Sequence, residues 1–425
     1  MATSPPIVDN PFAPEHLQDP YGPLAALQDE GPIQRAAYHG GIDNWLILGF
    51  DEARDALRNP ALSTNPSHSR RIFKLAGLVI GDDDEEQLAT LLTSDPPDHT
   101  RLRRLVVRAF TPRRAETLRQ DIQAIVDSLL DAIDADGRAD LVESLAFPLP
   151  VTVIARLLGV PERDRDSFRR WTLEMQSPPE LTDAQERKLA GRDALHAYLR
   201  DYIAETRSRL DPGLPDDEQP DLGSALIAAA DEGTRLSEPE LVALLEELLI
   251  GGYETAANFI ANALFALLVH PDQLELLRRE PERIPGAVEE LLRYDGSVLR
   301  AVPRVAVEDV EIGGTTIPRG ALVTIVLGAA NRDGSHTDEP DRLDVTRPAP
   351  RHVAFGHGIH FCPGAGLARV ESELALATAL RRLPDLRLDC APAEVRWRPA
   401  GVMRALESLP VRFAPPARRT RSGRA

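Results

Sequence analysis

Residues 355–368 read FGHGIHFCPGAGLA, a glycine-rich loop that presents one cysteine, Cys362, just before a predicted helix running to about Leu383. Gly356 and Gly358 allow tight turns of positive φ and a close backbone approach to a flat ligand. Pro363 suits a first helical turn, so free N–H groups and the positive end of the helix dipole are expected near the Cys362 sulfur. That setting lowers a thiol pKa and favours the thiolate, the form that binds metals. The helix is supported by Leu367, Val370, Leu374 and Ala377 at helical spacing. A single cysteine taken alone is a small buried hydrophobe. A zinc cluster of His352, His357, His360 and Cys362 is weak, because one lone cysteine forms no paired ligand knuckle. A Cys362 nucleophile with His360 as base is also weak, since two residues along one loop rarely place imidazole and sulfur correctly.

The stretch resembles the haem-binding loop of the cytochrome P450 family, with Phe355, Gly356, Gly358, His360, Cys362, Gly364, Leu367 and Ala368 on the family's positions. The resemblance implies a mainly α fold with small β-sheets, the cytochrome P450 fold, in which haem lies between a long central helix and the cysteine loop. It makes Cys362 the axial iron ligand, haem b the cofactor, and Phe355, Gly356 and His360 part of the haem-binding loop.

Ser237 and Glu240 make a capping box with Pro239 in the first turn, and no strong stop precedes His270-Pro271. The pattern predicts a helix of about 32 residues, about 48 Å long. Its centre, LLIGGYETAANFIANALFALL, is apolar on nearly all sides and belongs in the core. Within it lie two adjacent glycines, each costing about 1 kcal/mol against alanine, and an acid beside a hydroxyl. Thr255 follows Gly251 by four residues, so its hydroxyl is expected to bond the Gly251 carbonyl and open the helical ladder there, leaving room for dioxygen and water. A glycine pair that merely admits a neighbouring helix accounts for the glycines but not for a buried Glu254. GGYET resembles the family's oxygen-activation motif, in which an acid and an alcohol deliver protons. By position Thr255 and Glu254 inherit that catalytic role, and Gly251 a place against the haem. Tyr253 stands where a histidine is frequent and Ala256 where a second hydroxyl often follows; neither departure removes the acid–alcohol pair.

In SDPPDHTRLRRLVVRAF, residues 94–110, His99 and Arg103 share a helical face, while Arg101, Arg104 and Arg108 point elsewhere and read as a solvated face. The segment resembles the family's propionate-binding helix, with Arg304 and His360 matching further propionate contacts; carboxylates of this kind need cations. Glu290 and Arg293 in EELLR are three apart and can pair. On a surface such a pair contributes roughly 0 to 1 kcal/mol. Their place resembles the structural Glu-x-x-Arg motif, with Arg342 or Arg347 as a third member.

The 425 residues exceed a usual single core, yet no linker divides them and no repeat recurs. The acidic stretches at 81–87 and 211–223 are short and read as solvated loops. The expectation is one domain over 20–413, with an N-terminal extension at 1–19 and a disordered basic tail at 414–425. The apolar stripe Leu118, Ile122, Ile125, Leu129 and Ile133 predicts a helix, and further stripes fall near 150–158, 164–175 and 184–209; after Pro303 the pattern becomes strands. Two cysteines leave no disulfide framework. The N-terminus has no signal-peptide pattern, and no uncharged apolar run approaches the roughly 20 residues that span a bilayer. A net charge of -18 argues against nucleic acid as a ligand. The expectation is therefore a soluble, cytoplasmic haem-thiolate monooxygenase with no membrane partner. The resemblance implies O2 as oxidant and electrons from a ferredoxin with an NAD(P)H-dependent ferredoxin reductase. The substrate expected is a bulky apolar natural product such as a polyketide or macrolide intermediate; the resemblance places Trp171 and Met175 near the pocket roof, while for each residue taken singly packing in the core is the plainer reading. A peroxide-driven oxidase and a non-catalytic haem ligand-binding protein are the alternatives, and the retained Glu254 and Thr255 count against both.

Overall fold

The computed structural model describes residues 5–38, 41–75, 90–107, 110, 112–133, 137–175, 183–211, 214, 215, 218–231 and 236–414. The acidic stretch at 81–87, Arg108 and all of the basic tail except Ala414 lie outside them. Two regions pack together, a sheet built largely from the chain's N-terminal part and a much larger set of helices.

The sheet contains β1 (Ile7–Val8), β2 (Ile33–Ala37), β3 (Asp43–Ile47) and β4 (Leu62–Ser63). A short β5 (Arg138–Asp140) belongs to a separate three-stranded sheet. Beyond Pro303 come β6 (Arg304–Ala306), the hairpin β7 (Val310–Ile312) with β8 (Thr315–Ile317), and β9 (Leu322–Ile325). The six-stranded order is β1-β2-β3-β9-β6-β4. Trp45 of β3 is paired across to Val323 in a parallel match, and Arg304 of β6 faces Val323 from the other side in an antiparallel one. Arg304 is thereby held at the sheet's buried centre.

Helices α1 (Tyr21–Glu30), α2 (Phe50–Arg58) and α3 (Pro66–Leu75) flank the sheet. They are followed by α4 (Asp98–Val107), α5 (Pro112–Thr117), α6 (Arg119–Asp131), α7 (Pro148–Leu158), α8 (Arg165–Met175), α9 (Ala184–Arg207) and α10 (Leu222–Asp231). The last group is α11 (Glu238–Val269), α12 (Pro271–Arg279), α13 (Ile284–Asp295), α14 (Leu327–Ala330) and α15 (Ala365–Arg382). The stretch at 211–223 therefore ends inside a helix, because Leu222 and the apolar run after it bury one face.

Helix α11 has the predicted length of 32 residues and starts at the predicted box: the Ser237 N–H donates to Glu240 Oε2 at 2.8 Å and the Glu240 N–H to Ser237 Oγ at 3.4 Å. It runs through the main core against α7, α9, α13 and α15. By length and composition it would pass as a membrane span, but 72% of its most apolar window is buried inside the protein. Its hydrophobicity is that of a core helix.

Candidate active site

The cysteine loop is shaped by its glycines. Gly356 and Gly358 sit at φ +71° and +73°, and a Cβ on Gly358 would fall 3.0 Å from both the Leu57 carbonyl oxygen and the Arg58 Cα. The Cys362 N–H donates to the Phe355 carbonyl at 2.9 Å and closes the loop. Helix α15 begins at Ala365 with Gly364 as N-cap, so Pro363 precedes the helix rather than forming its first turn. The N–H groups of Gly364 and Ala365 do reach the sulfur, and Arg103 and Arg369 add positive charge. The thiol pKa is nonetheless raised, correcting the sequence expectation, because desolvation of the anion outweighs those donors.

A clamp that sequence reading missed holds the base of this loop. Arg369, on the second turn of α15, donates to Glu289 of α13 through Nε at 2.6 Å and Nη2 at 2.9 Å, and its guanidinium lies 4.5 Å from the Phe355 ring centroid. His352 Nε2 meets the same carboxylate at 3.2 Å. Burial alone would raise the Glu289 pKa, but hydrogen bonds from His352 and Arg369 outweigh it and hold it at about 2. The only local signal was the glutamate doublet in EELLR, whose first member is Glu289.

The structure brings His99, Arg103, Arg304 and His360 together. The His99 and His360 rings meet edge to face at 4.5 Å, and Thr64 Oγ1 lies 3.4 Å from His360 Nε2. Arg304 Nη1 reaches the carbonyls of Ala56, Leu57 and Leu62 at 3.2–3.4 Å. Burial pushes His360 down to about 3, helped by the charges of Arg304, His99 and Arg103, and burial pushes Arg304 down to about 10. The buried His99 Nε2 and Arg304 Nε have no hydrogen-bond partner among the described residues. Mutually repelling donors with orphaned nitrogens call for an anion between them, and the two carboxylates of haem fit that requirement.

Arg101 departs from the solvated-face reading: it pairs with Glu240 at the start of α11 and with Asp98 at 3.2 Å. Arg104 is exposed as expected.

On α11 the two glycines have different reasons. A Cβ on Gly252 would lie 2.7 Å from the Ile154 side chain of α7, whereas one on Gly251 would meet nothing within 4 Å. Gly252 admits a helix and Gly251 faces open space. Thr255 Oγ1 donates to the Gly251 carbonyl at 2.8 Å, yet α11 continues unbroken through this turn. A carbonyl oxygen has two lone pairs, so it accepts the hydroxyl without giving up the ladder. Glu254 is buried with Arg398 Nη2 3.5 Å from its Oε1. No local pattern could announce Arg398, which lies 144 residues away. Gly251, Glu254 and Thr255 line a cavity of about 390 Å³ whose apolar walls include Leu92, Ile250 and Met403. Trp171 and Met175 are not in this wall. Trp171 meets the Phe168 ring edge to face and the Tyr198 ring at a tilt, each with centroids 5.7 Å away, and Met175 packs beside Gly191 of α9.

Glu290 and Arg293 are fully buried and bidentate, with both contacts at 2.8 Å, so they are not a surface pair. Their third member is Arg347, 3.2 Å from Glu290. The Arg342 side chain pairs with Glu339 on the surface and offers Arg293 only its backbone carbonyl.

A family model described as Cytochrome P450 matches residues 81–384. The chain belongs to the cytochrome P450 family. This P450 is 44% identical over 414 residues to the cytochrome P450 monooxygenase PikC of Streptomyces venezuelae, covering 96% of this chain and 95% of that one. It is 37% identical over 407 residues to the polyketide biosynthesis cytochrome P450 PksS of Bacillus subtilis, covering 95% and 98%. Among solved structures, the P450 enzyme CxnD for C–S bond formation in chuangxinmycin biosynthesis superposes with a TM-score of 0.86 at 37% identity, covering 98% of this chain and 100% of that one. The fold is the cytochrome P450 fold, mostly helical with small sheets, and the protein is a P450 monooxygenase using haem iron. Enzymes of this bacterial type work with redox partner proteins and small-molecule substrates.

Proposed function

We propose that this P450 inserts one oxygen atom from O2, by hydroxylation or epoxidation, into a bulky apolar natural product such as a polyketide or macrolide intermediate. The catalytic domain spans 20–413. The cofactor would be haem b, held through the Cys362 thiolate, and it would supply oxygen activation when bound. Cys362 is the iron ligand. His99, Arg103, Arg304 and His360 hold the propionates, while Phe355, Gly356 and Gly251 lie against the ring. Thr255 keeps its hydroxyl on the Gly251 carbonyl and, with Glu254, passes protons to the reacting oxygen. Electrons come from a ferredoxin and its NAD(P)H-dependent reductase, and the protein works in the cytoplasm.

The observation that carries this reading is the cavity of about 390 Å³, apolar over most of its wall, into which Gly251, Glu254 and Thr255 open. That volume lies in the range of about 300–1,000 Å³ typical of pockets for drug-sized ligands. The relative named for polyketide biosynthesis supports the substrate class. The test is a haem spin-state titration with macrolactones, fatty acids, terpenes and small aromatics, followed by turnover with reductase and O2 against peroxide alone. Tight binding of macrolactones and product only with O2 are expected. Complete binding of a small terpene with no response to macrolactones would overturn the substrate class, and turnover with peroxide alone the oxidant. Cys362→Ser should abolish the red-shifted Soret band of the reduced carbon monoxide complex.

A further inference from the structure

The cavity beside Thr255 continues along α11 to a second, differently built end. Glu246, Ile250 and Glu254 recur every four residues on the side of α11 that lines this space, and Thr255, nine residues after Glu246 and about 13 Å further along the axis, borders it from the other edge of the helix. Three carboxylates line the space, Glu246, Glu247 and Glu254, against one guanidinium, Arg192, and one imidazole, His196. Two of the carboxylates already have work. Glu254 meets Arg398, and Glu247 accepts the Leu91 N–H at 2.7 Å and so holds the turn at 90–93. Glu246 differs: its Oε2 lies 2.8 Å from Nε2 of the buried His196, and its other oxygen has no hydrogen bond from any described residue.

We propose that Glu246, oriented by His196, receives a positively charged ammonium group of the substrate and thereby selects molecules that carry a basic nitrogen at the end of the cavity remote from Thr255. This rests on the reading that the cavity holds the substrate. Glu254 is matched by Arg398 and burial pushes Glu247 up to about 7, so Glu246 is the carboxylate in this lining that favours a cation and opposes a carboxylate. The apolar walls, Leu92, Ala243, Ile250 and Met403, exclude water and strengthen the attraction. His196 pins one carboxylate oxygen, so the other is positioned before the ligand arrives.

The test uses the haem-loaded enzyme with three ligands of equal chain length, decyltrimethylammonium, decanol and decanoate, all below their micellar concentrations. A quaternary nitrogen has no lone pair and cannot ligate iron, so a haem spin-state change reports occupancy; calorimetry provides a second readout. Wild type should bind the ammonium at least about tenfold more tightly than decanol, the ratio expected of one charge-assisted contact of about 1.4 kcal/mol, with decanoate weakest. Glu246→Gln should remove the preference while leaving decanol binding unchanged, and Glu246→Asp should keep part of it. Absence of a preference in wild type, or a preference intact in Glu246→Gln, overturns the anchor and leaves natural-product oxidation standing. If none of the three ligands perturbs the haem or gives a heat of binding, the cavity is not the substrate site and both readings fall.

Discussion

Thr255 has a single hydroxyl, and in the structure it donates to the Gly251 carbonyl at 2.8 Å. Because that bond leaves the helix intact, Thr255→Ala should preserve fold, haem content and substrate binding. What it should lose is coupling: NAD(P)H consumption continues while product falls and hydrogen peroxide rises. Unchanged coupling removes Thr255 from the mechanism. Glu371, on α15, is fully buried with an unpartnered Oε2, and burial raises its pKa from 4.5 to about 8. Between those values the unfolded chain has released the proton that the folded protein retains, so this residue's contribution to stability falls as pH rises through that window. Glu371→Gln cannot ionise. Its melting temperature should match wild type near pH 4 and exceed it by pH 8, with a gain of up to about 5 kcal/mol, since the shift from 4.5 to about 8 spans about 3.5 pKa units of about 1.4 kcal/mol each. Equal melting curves at pH 8 would show that the ionised carboxylate carries no penalty there.

At the scale of elements, helices hold the cysteine loop and its surroundings through ion pairs, half-buried at Glu289 and fully buried at Glu290. Helix α13 supplies two adjacent acids with separate partners: Glu289 reaches α15 through Arg369, and Glu290 reaches Arg293 and Arg347. Removing one member of a buried pair strands the other charge. Glu290→Ala should therefore cost about 3–5 kcal/mol, whereas Arg342→Ala, on the exposed pair with Glu339, should stay within about 0.5 kcal/mol. Denaturant melts of the two variants decide this, and equal losses would mean that Arg342 shares the buried network. The three-residue spacing of Glu290 and Arg293 was legible in the sequence. Their burial was not, because it depends on the carbonyls of Asn331 and Pro340 arriving from a distant segment to complete Arg293.

Over the whole molecule, the donors proposed to hold the haem propionates come from separate parts of the chain: His99 from α4, Arg304 from β6 and His360 from the cysteine loop. Haem binding and global stability should be linked, because a ligand that binds only the folded chain stabilises it. Arg304→Ala and Arg103→Ala should each speed haem loss to apomyoglobin, and loss at the wild-type rate from both would count decisively against the propionate assignment. The sequence by itself determined what is local: the cysteine loop and its helix to within a residue or two, the capped α11, the Thr255 to Gly251 bond and the family. These depend on spacing along the chain, and 3.6-residue periodicity, glycine and capping side chains report spacing directly. Only the tertiary structure decided that Arg347 rather than Arg342 completes the Glu290 pair, that Arg101 ties α4 to α11, that the Cys362 thiol is raised, and that Arg398 and His196 meet α11. Each of these depends on which residues from remote segments share a low-dielectric space. Periodicity shows which face of an element is buried, but neither the partner buried against it nor the net balance between desolvation and nearby charge.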